Sequence, residues 1–138
     1  MTRAAVAALV TLVGTACIPE PGPTMSPGED CLECHDGGDA PRWTVAGTVY
    51  PTYFSEVDEG LSGVKIHLTD ATGRHVAIES NEAGNFYTRE RLSFPLTVAV
   101  EKDGRRREMP HPAPYGGCNR CHTQPPLEGA PGRVYVGE

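Results

Sequence analysis

The chain reads as an all-β protein, a small antiparallel β-sandwich flanked by two loop-rich segments. Three observations predict this. Between residues 43 and 110 apolar and polar side chains alternate at the two-residue period of a half-buried strand. Thirteen prolines and sixteen glycines in 138 residues break the chain into short runs. No run combines a helical apolar period with helix caps.

The strands follow in order. Trp43 to Tyr50 is the first. Val64 to Thr69 is the second, with Val64, Ile66 and Leu68 facing inward, and the third presents Val76 and Ile78 to the same side. Pairing Leu68 with Val76 keeps both on the core face, whereas a one-residue slip would bury charges. That register leaves Ala71-Thr72-Gly73 as a three-residue hairpin loop, with Gly73 at the left-handed position such loops require. It also sets Lys65 opposite Glu79 on the outer face, a pair worth a few tenths of a kcal/mol. Asn81 to Gly84 is a turn, and Asn85 to Thr88 is a strand with Phe86 inward. Pro95 to Val100 places Leu96, Val98 and Val100 on one face. Asp103-Gly104 is a hairpin turn, and Arg105 to Met109 returns from it. The basic run Arg105-Arg106-Arg107 is read as a solvated rim. Residues 43–110 make a small core, marginal by itself. In an antiparallel sandwich an even number of strands returns the chain to its starting pole, so segments flanking six strands emerge together. A seventh strand over Arg133 to Val136 would leave that parity intact.

The flanking segments carry the chemistry. Cys31-Leu32-Glu33-Cys34-His35 and Cys118-Asn119-Arg120-Cys121-His122 are two copies of Cys-x-x-Cys-His, and they use four of the five cysteines. In such a box two sulfurs form thioethers to a porphyrin edge and the histidine supplies an imidazole to iron. The expectation is two covalently attached haem c groups, at Cys31 and Cys34 and at Cys118 and Cys121, with His35 and His122 as proximal ligands. A zinc site of two Cys-x-x-Cys pairs, a pair of disulfides and a thiol-redox motif are the competing readings. Zinc ribbons usually bring their pairs closer in sequence than Cys34 and Cys118, and the thiol-redox motif needs a βαβ context absent here.

The ends agree with an exported protein. Residues 1–16 read as a signal peptide: Arg3 is the basic start, and Ala4 to Gly14 is an apolar stretch too short to span a membrane. Val13-Gly14-Thr15-Ala16-Cys17 resembles a bacterial lipoprotein box, with Gly14 where leucine is usual. Cys17 would then be the lipidated first residue of the mature chain, held to a membrane surface without spanning it. The same small residues suit ordinary cleavage after Ala16. Residues 17–30 read as an extended, proline-rich tether. The two motifs fall in segments 31–42 and 111–138. A formal charge of −6 offers no basic face for nucleic acid.

Four stretches of the middle segment carry a family resemblance: Ala46-Gly47-Thr48-Val49-Tyr50, Leu61-Ser62-Gly63-Val64-Lys65-Ile66, Asp70-Ala71-Thr72-Gly73 and Asn81-Glu82-Ala83-Gly84-Asn85-Phe86-Tyr87. They resemble the carboxypeptidase regulatory-like domain, a small transthyretin-type sandwich that is usually non-catalytic. With a haem motif on each side, the arrangement is similar to small exported multihaem cytochromes of bacteria that respire on external acceptors. The resemblance implies an electron carrier or relay and does not fix its partners. With the export signal and lipoprotein box, the expectation is a protein at the cell envelope, periplasmic or on the cell surface and anchored by lipid to the outer membrane, with other cytochromes or an envelope porin complex as redox partners.

Each iron's second axial position is filled from elsewhere or stays open. His111 and Met109, close before the second motif, are distal candidates, with a solvated loop residue and a core-packing strand end as their ordinary alternatives. His67 and His75 point outward at a diagonal on neighbouring strands and are further candidates, set against two plain surface histidines. Met25, in the tether, carries little weight. Trp43 and Tyr115 lie near the motifs; a core role is the stronger reading for Trp43. Two strong axial ligands favour electron transfer, whereas an open site admits peroxide or a small gas. No nucleophile elbow, zinc-hydrolase motif or nucleotide loop occurs. The expectation is therefore a relay rather than an enzyme. The alternatives are a dihaem enzyme or sensor with an open axial site, for which Glu33 and Asp36 flank the first motif, and a zinc-binding structural module.

Overall fold

The computed structural model describes residues 22–137; the expected signal peptide and the lipidation candidate Cys17 lie outside the described residues. Seven strands follow in order: β1 Val45–Tyr50, β2 Lys65–Thr69, β3 His75–Glu79, β4 Asn85–Thr88, β5 Thr97–Lys102, β6 Arg105–Glu108 and β7 Val134–Tyr135. They form two sheets, one ordered β4-β1-β7 and the other β3-β2-β5-β6. The all-β sandwich read from the sequence is the fold.

Side-chain alternation sets the register of the larger sheet. Leu68 pairs with Val76, and Lys65 with Glu79, as expected. On the other side of β2, Leu68 faces Val98 and Ile66 faces Val100. The amide of Asp70 donates to Arg74 O (2.9 Å), which closes the Ala71-Thr72-Gly73 loop, and Gly73 has φ +88°. At the β5–β6 turn, Asp103 (φ 52°) and Gly104 (φ 77°) both take the left-handed conformation that a two-residue hairpin requires. Strand β6 is a fully exposed edge of arginines, a charge pattern that discourages further pairing. The core lies between the sheets, where Ile66, Leu68, Leu96 and Val100 meet Val49 and Phe86.

Strand β1 differs from the others: all six of its residues are buried. One face carries Val45 and Val49 into the core. The other face is covered by the flanking segments, with Thr48 under Gly28 and Asn119 and the Tyr50 ring under the Arg133 guanidinium (4.5 Å). Burial on both faces explains why Val-Ala-Gly-Thr-Val-Tyr shows no alternation.

Two expectations are corrected. The sandwich is not antiparallel throughout, because β7 runs parallel to β1 (Val49 with Val134, Tyr50 with Tyr135). After Ala113 bridges Leu96, the chain crosses to β1 and pairs in parallel at Gly117 opposite Ala46. It then detours through the second motif and resumes as β7 beside the far half of β1. The second Cys-x-x-Cys-His box is thus an excursion from one broken edge strand. The part of the tether that is described, residues 22–30, is not extended. It folds into turns, with Met25 N–H donating to Gly22 O (3.2 Å) and Glu29 N–H to Ser26 O (3.3 Å). Side-chain amides hold these turns: Asn81 and Asn85 donate to Pro23 O, and Asn85 donates to Met25 O. Prolines favour extension only while their carbonyls lack such donors.

Candidate haem-attachment site

Each Cys-x-x-Cys stretch forms one helical turn, a 3₁₀ turn over Cys31–Glu33 and an α-turn, α1, over Cys118–Cys121. Residues three apart on such a turn lie on neighbouring positions of one face. Asp30 caps the first turn by accepting from Leu32 N–H (3.2 Å). In both boxes the histidine amide then donates back to the first cysteine's carbonyl, at 2.9 Å for His35 and 3.0 Å for His122. A single turn is too short to show a helical period, so no sequence pattern announced it.

The two imidazoles are held in the same way. His35 Nδ1 lies 2.9 Å from Pro41 O, and His122 Nδ1 lies 2.9 Å from Gly132 O. A carbonyl only accepts, so each Nδ1 carries a proton, and in the neutral ring Nε2 is then the atom with the lone pair. This is the tautomer that binds a metal through Nε2 with its ring fixed from behind. The 36–42 loop is closed by two hydrogen bonds, with Gly38 N–H donating to Asp36 Oδ1 (2.8 Å) and Arg42 Nε to Asp36 O (2.8 Å). His35 Nε2 is buried and has no hydrogen-bond partner. An orphaned acceptor of that kind is expensive unless something fills it. Burial lowers the pKa of His122, opposed by the Gly132 carbonyl, so this ring is neutral at pH 7.

Trp43 is neither a sandwich core residue nor a free platform. Its indole stacks flat on the His35 imidazole (centroids 3.3 Å, planes 6° apart), and Tyr87 stacks on its far side (4.1 Å, 11°). Beside this stack is a cavity of about 600 Å³, lined by residues that include Met25, Cys31, Cys34, His35, Trp43 and Phe86. That lies within the size range of small-molecule and cofactor sites. At the second box, Tyr115 Oη lies 2.8 Å from Cys121 Sγ and donates to Glu128 (3.0 Å). Gly132 is required there: its φ is +138°, and a Cβ would sit 2.5 Å from Tyr53 O.

The two boxes adjoin, and both pack on β1. A buried polar cluster joins them. Asn119, the first variable residue of the second box, accepts from Thr48 N–H (3.0 Å) and donates to Thr48 Oγ1 (3.1 Å) and to Glu29 O (2.8 Å). Thr48 Oγ1 in turn accepts from Gly28 N–H (2.9 Å) and donates to Asn85 (2.8 Å). Sequence reasoning missed Asn119, Thr48 and Asn85, because a polar residue inside a motif or a strand carries no pattern that marks it as buried. Gly47 lets the second box approach: a Cβ there would meet Cys118 Cβ and Phe86 Cζ at 2.8 Å.

Cys31, Cys118 and Cys121 are free thiols, and Cys34 is disulfide-bonded. A thioether at Cys34 therefore requires that bond to be reduced first. Burial pushes the Cys31 thiol up to about 11, with Asp30 and Glu29 adding to it. Burial, with Cys31 and Asp30 nearby, pushes Cys118 up to about 12. Cys121 is raised by burial and by Glu128. All three are protonated at neutral pH, the opposite of an activated redox thiol. Among the described residues no group of three or more His, Cys, Asp or Glu side chains is arranged to hold a metal ion.

The distal candidates His67, His75, Met109 and His111 do not line the cavity beside His35. His67 and His75 are on the outer face of the larger sheet, whose other face carries Ile66 and Leu68 into the core. Both boxes pack on β1 in the opposite sheet, so the sandwich separates these histidines from them. His67 Nδ1 lies 3.2 Å from His75 Nε2, and His67 Nε2 lies 3.0 Å from Glu101. Met109 extends the β5–β6 ladder by donating its amide to Val98 O (2.9 Å). His111 is an exposed residue between β6 and the Leu96–Ala113 bridge. Among the described residues no helix is long and apolar enough to cross a membrane.

In comparisons with known proteins, no family model, no curated protein and no solved structure matches this chain.

Proposed function

We propose that this chain is an exported dihaem c-type cytochrome, a non-catalytic one-electron relay at the cell envelope. One haem c would be held by Cys31, Cys34 and His35, and the other by Cys118, Cys121 and His122. A carboxypeptidase regulatory-like sandwich serves as the scaffold that carries both. The observation that carries this reading is the matched pair of imidazoles, each bonded through Nδ1 to a backbone carbonyl (2.9 Å in both), with His35 Nε2 buried and unpartnered. One-electron chemistry comes from the iron porphyrin when bound. The chain's own part is to fix ring orientation, exclude water at His35 and hold the two boxes against one strand. Adjacent boxes suit a relay, because electron transfer between centres depends steeply on their separation. An outer-membrane lipid anchor at Cys17, with other cytochromes or an envelope porin complex as partners, completes the proposal.

The test is expression in a host with c-type cytochrome maturation, followed by mass spectrometry and visible spectra. The expected result is a coloured protein carrying two tetrapyrroles per chain. Cys31→Ala with Cys34→Ala should remove one of them, and Cys118→Ala with Cys121→Ala the other. A colourless, fully matured product overturns the reading.

A further inference from the structure

The box around His35 assigns one axial position of its iron and leaves the other open. The cavity beside His35 narrows the choice. Among its lining residues are Cys31, Cys34 and His35 of the first box and Met25 from the segment before it. That segment is clipped down. Met25 N–H donates to Gly22 O (3.2 Å), Asn85 Nδ2 donates to Met25 O (2.9 Å) and to Pro23 O (3.3 Å), and Gly28 N–H donates to Thr48 Oγ1 (2.9 Å). The backbone at Met25 is therefore fixed, so only side-chain entropy is lost in bringing its thioether to a ligand position.

Haem iron takes imidazole, thiolate, thioether or phenolate. Besides His35 and the two cysteines of the box, the lining offers two such donors, Met25 and Tyr87. Tyr87 is committed to the ring stack on Trp43 (4.1 Å). The carboxylates in the lining are hard anionic donors, poorly matched to this iron. Asp30 is in addition taken by the Leu32 amide (3.2 Å).

We propose that Met25 Sδ is the second axial ligand of the iron at His35. The inference rests on the dihaem reading above and specifies its first site as six-coordinate His/Met. That site is closed to gases and has a higher reduction potential than a bis-histidine site.

The test uses the matured full-length protein and Met25→Leu, Met25→Ala and Met25→His variants. Met25→Leu keeps the backbone clip and the apolar volume. Mass spectrometry first counts haem, and a chain that carries none overturns the dihaem reading and this proposal together. With two haems attached, the unsubstituted protein should show the weak red absorbance of a methionine–ferric bond. The ferrous Leu and Ala variants should each bind one more equivalent of carbon monoxide per chain than the parent, and one midpoint potential should fall. Met25→His should lose that extra equivalent and keep a lowered potential. The proposal alone is overturned if two haems are attached and the Leu and Ala variants match the parent in spectrum, carbon monoxide stoichiometry and both potentials. A parent protein without the methionine–ferric absorbance overturns it without any variant.

Discussion

Replacing Asn119 by alanine should destabilise the whole protein, although Asn119 is a variable position of its motif. The side chain is 2% exposed and makes three hydrogen bonds, from Thr48 N–H (3.0 Å), to Thr48 Oγ1 (3.1 Å) and to Glu29 O (2.8 Å). Each is worth about 1 kcal/mol net, and a buried partner left unpaired costs about 1–3 kcal/mol. Thr48 is fully buried, so water cannot replace the lost acceptor at its N–H. The sum is roughly 3–5 kcal/mol, a large part of the ~5–15 kcal/mol that holds a typical domain folded. Urea denaturation of the matured protein measures it. With a slope of ~1–3 kcal/mol/M, the midpoint should fall by roughly 2 M with the slope unchanged. Thr48→Val, which keeps the backbone N–H bond to Asn119 but removes the three bonds of the hydroxyl, should have a comparable effect, and the double variant should show a coupling above ~0.5 kcal/mol. A loss below ~1 kcal/mol for Asn119→Ala would refute the claim that this cluster joins the two boxes. So would strict additivity of the pair.

Other perturbations test other parts of the site. The chain has one tryptophan, stacked on His35 beside the adjoining boxes, so with the proposed haems attached its fluorescence should be strongly quenched, and it should be restored only when all four cysteines of the two boxes are replaced by alanine; bright emission at full haem occupancy would contradict the place of Trp43 beside the boxes. Gly116→Ala would place a Cβ 1.9 Å from Thr44 O. A backbone shift of about 1–3 kcal/mol should follow, lowering the melting temperature and the haem occupancy at Cys118 and Cys121. The Asp70 carboxyl is held below the usual carboxylate range, first by the Thr72 hydroxyl and then by the Ser93, Thr72 and Arg74 amides. A group depressed in the folded state stabilises fully above its unfolded pKa of about 3.9 and loses that contribution as pH falls towards the folded value. Asp70→Asn should therefore flatten the acid side of a stability–pH curve below about pH 4, and an unchanged curve would count against the hairpin role of Asp70.

Local rules account for what was legible in the chain. Period-two alternation located the strands, and the register of β2 and β3 followed because any slip would have buried Lys65 or Glu79. Gly73, Asp103 and Gly104 marked their turns because only certain residues take positive φ cheaply. Strand parity anticipated that the two boxes would come together, and they adjoin on β1. Where a structure is decided by what covers a segment, the same rules had nothing to act on. Residues 22–30 have the composition of a free tether, yet Asn81, Asn85 and Thr48 supply the donors and acceptors that fold it down. For the same reason no pattern in the chain pointed to Asn119.

The sequence by itself determined the sandwich, its strand register and the positions of the two Cys-x-x-Cys-His boxes. Each of those depends on residues close together in the chain or on a single repeating period. Only the tertiary structure decided which histidines are near the boxes, that the outer face of β1 is covered, and that Trp43 stacks on an imidazole rather than in the core. Those outcomes depend on contacts between segments dozens of residues apart. Which distant donor meets which acceptor is settled by how the chain crosses from one sheet to the other, and no local pattern encodes that crossing.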